Sequence, residues 1–144
     1  MKVLVAYASK HESTSEIAAQ IAEQIGTSGI EVHMMSAGAV VDPAKYDAFV
    51  IGSAVYAGQW MSTAADLLIT YEKLFTTCPT WLFSSGPTGE GDPVALLDGF
   101  VFPVVLEDIA KRINPEDIKL FHGKIDMGAL SWGERLIIKA VRGQ

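Results

Sequence analysis

The run Lys2–Ala8 (KVLVAYA) is apolar after its first residue and gives way to Ser9-Lys10-His11-Glu12-Ser13-Thr14, where a helical pattern begins. Hydroxyls and bare amide N–H groups are thereby gathered where a helix presents the positive end of its dipole, an arrangement suited to an anion. Ser9, Ser13 and Thr14 can each donate a hydroxyl proton, and the loop amides can donate more. The expected ligand class is a phosphorylated cofactor. Lys10 either assists the phosphate or points to solvent. Glu12 is expected to turn away, because a carboxylate facing phosphate is repelled. His11 either donates to the phosphate when protonated or is an exposed loop histidine.

Two further apolar runs stop at small or hydroxyl-bearing residues. Asp47–Ser53 leads into Ser53-Ala54-Val55-Tyr56-Ala57-Gly58-Gln59-Trp60, a segment with two aromatics that suits a flat ring. Gly58 permits backbone geometry closed to other residues. Tyr56 is the expected stacking residue, and Trp60 is assigned to packing. Thr80–Ser84 leads into a stretch dominated by glycine and serine, in which Ser85, Gly86, Pro87, Thr88 and Gly89 allow close approach of the backbone.

These loops must be positioned by the elements between them. Strands are expected at Lys2–Ala8, Ile30–Met34, Asp47–Ser53, Thr80–Ser84 and Ile118–His122, the first, third and fourth being nearly continuous in apolar residues, as parallel strands covered on both faces are. Ile17, Ile21 and Ile25 repeat at i+4 over Thr14–Ile25, with Ser13 and Glu16 at capping-box spacing and Gly26 and Gly29 at the end. Further helices are expected over Met61–Leu74, Val104–Ile113 and Leu130–Val141. Ser36–Lys45, with Gly38 and Pro43, supports only a turn or a single helical coil. Alternating strands and helices with right-handed crossovers give an α/β fold of three layers. Ligands of such sheets bind outside the carboxyl ends of the strands, where the three loops lie.

The 144 residues suit one domain over 1–144, with 49% apolar residues and a mean hydropathy of +0.26. A net charge of −6 argues against a nucleic-acid partner and leaves a basic protein partner compatible. The chain opens directly into a strand, and Cys78 is its one cysteine, so a cytoplasmic location is expected. His11, His33 and His122 are scattered, and no metal site is expected. Cys78 reads as a structural thiol. Gly86–Gly91 lacks dinucleotide-turn spacing, and the third strand ends at Ser53 where a phosphoacceptor receiver would need aspartate.

Ser9 and Thr14 match the first and last positions of the flavodoxin phosphate signature, (Ser/Thr)-x-Thr-Gly-x-Thr, with Ser13 at its variable position. His11 stands in place of its central threonine and Glu12 in place of its glycine. The chain therefore resembles the flavodoxin-like family. The segments IGSAVYAGQW, LFSSGP, FHGKID and LSWGERLIIKAVRG look like the branch containing menaquinone-dependent protoporphyrinogen IX dehydrogenase. The resemblance implies a flavodoxin-like α/β/α sandwich with a five-stranded parallel sheet of order 2-1-3-4-5. It implies FMN held by the first loop, with Ala54, Val55, Tyr56, Ala57 and Gly58 along the isoalloxazine and Ser85–Gly89 on its pyrimidine side. It also implies an FMN oxidoreductase acting on a porphyrinogen-like or quinone-linked substrate. The alternative is an electron carrier serving a redox partner protein. No side-chain acid or base stands out, so no catalytic residue is assigned.

Val94–Leu106 is unusually apolar. In one reading Val104, Val105, Ile109 and Ile113 face the sheet while Phe100 and Phe102 tuck beneath the loop. In the other, Leu96, Leu97, Phe100 and Phe102 form a lip for a hydrophobic substrate, membrane quinone or second subunit. Arg135, Lys139 and Arg142 form a basic stripe, either solvated or docked peripherally on an anionic membrane.

Overall fold

A strand buried on both faces reads as a near-continuous apolar run, and β1 (Lys2–Ala8), β3 (Ala48–Tyr56) and β5 (Thr80–Ser85) carry such runs at Val3–Ala6, Ala48–Ile51 and Trp81–Phe83. The computed structural model describes residues 1–9, 13–56, 59–86 and 103–121, with Ser13 and Tyr56 described by their backbone. The three strands form the middle of a parallel sheet, flanked by β2 (Glu31–Ser36) and β6 (Asp117–Phe121) in the order β2-β1-β3-β5-β6. A short β4 (Gln59–Trp60) turns back antiparallel on β3 and lies off this path. With β4 set aside, the order is the expected 2-1-3-4-5, and the fold is flavodoxin-like.

Side chains alternate between two apolar layers. Val3, Val5, Val50, Trp81, Phe83 and Phe121 pack with Ile17, Ile21 and Ile25 of helix α1 (Ser13–Gly26). The i+4 isoleucine stripe is thus the sheet-facing side of that helix. Leu4, Ala6, Phe49, Ile51 and Leu82 pack on the other face against α2 (Ser62–Thr70), α3 (Glu72–Thr77) and α4 (Glu107–Ile113). Phe49 and Phe75 meet edge-on there, with ring centroids 4.9 Å apart.

Several elements differ from the sequence expectation. The helix expected over Met61–Leu74 is interrupted at Tyr71, whose φ of −113° and ψ of 27° separate α2 from α3. Ile69 and Thr70, consecutive β-branched residues with reduced helix propensity, stand just before the break. The third strand continues past Ser53 to Tyr56, so Ala54 and Val55 belong to the sheet. Between β2 and β3 the expected minimal coil is two 3₁₀ turns, Ala37–Ala39 and Pro43–Lys45.

Val104 and Val105, expected to face the sheet, are 73% and 68% exposed. Pro103 opens a 3₁₀ turn, Val104–Leu106, and the buried face then runs through Leu106, Ala110 and Ile113. At three residues per turn, Val105 and Val104 of the 3₁₀ turn lie about 120° and 240° round from Leu106, away from that face. Helix α4 stops at Asn114, whose φ of 54° and ψ of 62° form a left-handed cap before Pro115. Cys78 is partly buried against the core, 3.8 Å from the Thr77 hydroxyl. Leu96, Leu97, Phe100, Phe102, His122 and the expected helix Leu130–Val141 lie outside the described residues.

At the edge of the sheet, Glu31 and His33 of β2 form a charged patch with Lys2. The Glu31 carboxylate lies 3.0 Å from His33 Nε2 and 3.6 Å from Lys2 Nζ, while His33 Nδ1 is 2.8 Å from the Tyr46 hydroxyl. Across α3 and α4, Arg112 donates to both Glu72 carboxylate oxygens at 2.8 and 3.0 Å.

Those hydrogen bonds hold the Glu72 carboxyl below its usual range. A carboxyl whose pKa is lowered on folding stabilises the fold above its unfolded pKa, and that contribution is lost as pH falls through the lowered value. Glu72→Gln is expected to lower Tm slightly at pH 7 and by progressively less below about pH 4, with salt weakening the effect. Thermal unfolding across pH checks this. Gly52 pairs with Phe83 across β3 and β5, and a Cβ at Gly52 would collide with Cδ1, Cε1 and Cζ on one edge of the Phe83 ring. Gly52→Ala is therefore expected to destabilise the fold by about 1–3 kcal/mol, with Phe83→Leu in the same chain recovering part of the loss in a denaturant titration.

Candidate functional site

The parallel register brings three strand ends to one level. Ala8 of β1 pairs with Ser53 of β3, and Ser53 pairs with Ser84 of β5. One residue further along stand Ser9, Ala54 and Ser85, with Ala54 and Ser85 paired directly. Three of the sequence-predicted site residues are therefore neighbours because of strand register alone.

Helix α1 begins at Ser13, four residues beyond Ser9. Its first turn contains Thr14, which is 1% exposed. A helical threonine normally satisfies its hydroxyl against a backbone carbonyl or water. Among the described residues, the Thr14 hydroxyl has no hydrogen-bond partner. Ser85, 4% exposed at the end of β5, carries a second buried hydroxyl with none. Leaving a buried hydroxyl unpaired is unfavourable by about 1–3 kcal/mol, so two at one end of a sheet indicate an unfilled polar demand.

The second predicted loop is a hairpin. Val55 pairs with Trp60 and Tyr56 with Gln59, so β3 continues into the return strand β4. Ala54 is buried, and Val55 packs partly against the α2–α4 core. Trp60 is buried, in keeping with its assignment to packing, and its indole N–H donates to Ser84 Oγ at 2.9 Å. The Met61 amide donates to Ser53 Oγ at 2.9 Å, and the Ser53 hydroxyl donates to the Ala54 carbonyl at 2.8 Å.

Ser53 and Ser84 are functional candidates that sequence reasoning passed over. The signal was available: a buried tryptophan needs an acceptor for its N–H, and a serine at the matching strand end supplies one. In the third loop the Gly86 amide is committed to the Phe121 carbonyl at 2.9 Å, which ties the exit of β5 to β6. Lys10, His11, Glu12, Ala57, Gly58, Pro87, Thr88 and Gly89 lie outside the described residues.

No group of three or more metal-ligating side chains occurs among the described residues. Nor is any helix of the described residues long and apolar enough to cross a membrane. The described part of the site therefore offers hydroxyls, amides and a close-packed hairpin, a set suited to holding a group.

A model of the flavodoxin domain family matches residues 4–143 of the chain. Comparison with curated proteins found no match. Among solved structures, a flavodoxin from the domain Archaea is similar at 17% identity and a TM-score of 0.70, with 99% of each chain covered. Oxidised flavodoxin 1 from Bacillus cereus is similar at 14% identity and a TM-score of 0.69, with 100% of this chain and 99% of that one covered. The rubredoxin oxygen:oxidoreductase of Desulfovibrio gigas is similar at 17% identity and a TM-score of 0.67 over 99% of this chain and 35% of its own. From the family match and the shared architecture, the chain belongs to the flavodoxin domain family and is an FMN-binding, flavodoxin-like redox protein.

Proposed function

We propose that the FMN phosphate is held at the turn between β1 and α1 by Ser9, Ser13 and Thr14, with Lys10, His11 and the loop amides around it. The buried Thr14 hydroxyl, unpartnered among the described residues, carries this reading. An anion at the head of a 14-residue helix would give that hydroxyl an acceptor and complement the helix dipole. Ser85 supplies the matching orphan on the β5 side, where its hydroxyl would meet the ring system. Tyr56 and the hairpin that carries it would flank the isoalloxazine, with Gly86–Gly89 on the pyrimidine side. When bound, the flavin supplies electron or hydride transfer. This chain's residues bind it, orient it and limit water around it.

For the reaction, the proposed activity is an FMN-dependent oxidation of a porphyrinogen-like or quinone-linked substrate. Its support is the resemblance of IGSAVYAGQW, LFSSGP, FHGKID and LSWGERLIIKAVRG to the protoporphyrinogen dehydrogenase branch. A second reading, a carrier passing single electrons to a redox partner protein, is favoured by full-length similarity to flavodoxins.

Thr14→Val keeps the side-chain shape and removes the hydroxyl. It is expected to weaken FMN binding about tenfold, as loss of a hydrogen bond to a charged group does, while leaving riboflavin affinity unchanged. The apoprotein Tm should not fall, because no hydrogen bond among the described residues is lost. Fluorescence titration with both flavins and apoprotein melting check the two halves. Photoreduction followed by absorbance separates the two readings of activity: one two-electron step is expected for the oxidoreductase, and two resolved one-electron steps for the carrier.

A further inference from the structure

Three hydrogen bonds among five atoms hold the base of the β3–β4 hairpin inside the protein. Ser53 and Ser84 are register partners on adjacent strands, both fully buried, and both lie on the face covered by α2. The Ser53 hydroxyl joins the two arms of the hairpin, donating to the Ala54 carbonyl on the outgoing arm and accepting from the Met61 amide on the return. The Ser84 hydroxyl accepts from the Trp60 indole on that same return arm, so the hairpin is also fixed to the neighbouring strand.

An isolated two-stranded hairpin is marginal by itself, and here β4 has only two residues. The hairpin keeps its place through buried hydrogen bonds at its root. Its pairs Val55–Trp60 and Tyr56–Gln59 are then set relative to β5.

We propose that Ser53, Ser84 and Trp60 are positioning residues: they lock the hairpin at a fixed height above the carboxyl ends of β3 and β5 and so set how it meets the flavin ring. The inference rests on the reading that FMN lies across these strand ends, and it concerns the ring rather than the phosphate. A lock at the root excludes the alternative of a hairpin that swings as an independent lid, because any swing would leave buried donors and acceptors unpaired. None of the three residues needs to touch the cofactor.

The test uses Trp60→Phe, which keeps an aromatic ring and removes the donor, and Ser84→Ala, which removes the acceptor. Each is loaded with FMN and, separately, with riboflavin. Each variant is expected to lose affinity for both flavins by the same factor, about fivefold, and to alter the visible circular dichroism of the bound ring. The double variant should match the single ones, since all three break one hydrogen bond. Ser53→Ala provides an independent break of the same lock and should act in the same direction. Unchanged affinity and unchanged visible dichroism in both Trp60→Phe and Ser84→Ala would overturn the proposal, as would strictly additive effects in the double variant. Selective loss of FMN with riboflavin unaffected would also overturn it, because it would place the lock at the phosphate. Wild-type protein that binds neither flavin would instead defeat the underlying FMN reading, and the positioning role with it.

Discussion

A strand enclosed between two layers of helices can show polarity only where it ends. In β1, β3 and β5 the runs Val3–Ala6, Ala48–Ile51 and Trp81–Phe83 are apolar and buried. Beyond these runs, toward the carboxyl ends, come Ser9, Ser53, Ser84 and Ser85, and the parallel register collects them at one rim. Helix α1 then begins within a few residues of the β1 end, so its positive terminus faces the same place.

The hydroxyls at the rim divide by the face they occupy. Ser53 and Ser84 point into the α2 side, where Trp60 and Met61 satisfy them. Ser85 lies one residue on and therefore on the opposite face, where no described group meets its hydroxyl. The two-residue alternation of a strand thus places a hydrogen-bonded serine and a serine without a described partner side by side.

Much of this was legible from residue pattern. The i+4 isoleucines declared α1, the continuous apolar runs declared the central strands, and their loops pointed to the carboxyl rim. The details that escaped detection depend on partners remote in sequence. Nothing local to Ala54 or Val55 shows that β3 extends to Tyr56; the pairing with Gln59 and Trp60 decides it. Val104 and Val105 look like core residues by type, but the 3₁₀ turn begun at Pro103 gives the buried face to Leu106, Ala110 and Ile113. The break at Tyr71 is likewise weakly marked, since a pair of β-branched residues lowers helix propensity without forbidding a helix. Ser53 and Ser84 were passed over because a serine at a strand end resembles any turn residue until its register partner is known.

The charged patch on β2 bears on how the molecule behaves among its own copies. Among the described residues β2 pairs only with β1, which leaves its other side with the unpaired amides and carbonyls of an outermost strand. Such a margin is a template for adding a foreign strand. With Glu31 and His33 on β2, and Lys2 beside them on β1, an incoming apolar segment would have to desolvate charge before it could pair. The Glu31–Lys2 pair therefore makes strand addition beside β2 costlier than it would be at a bare apolar margin.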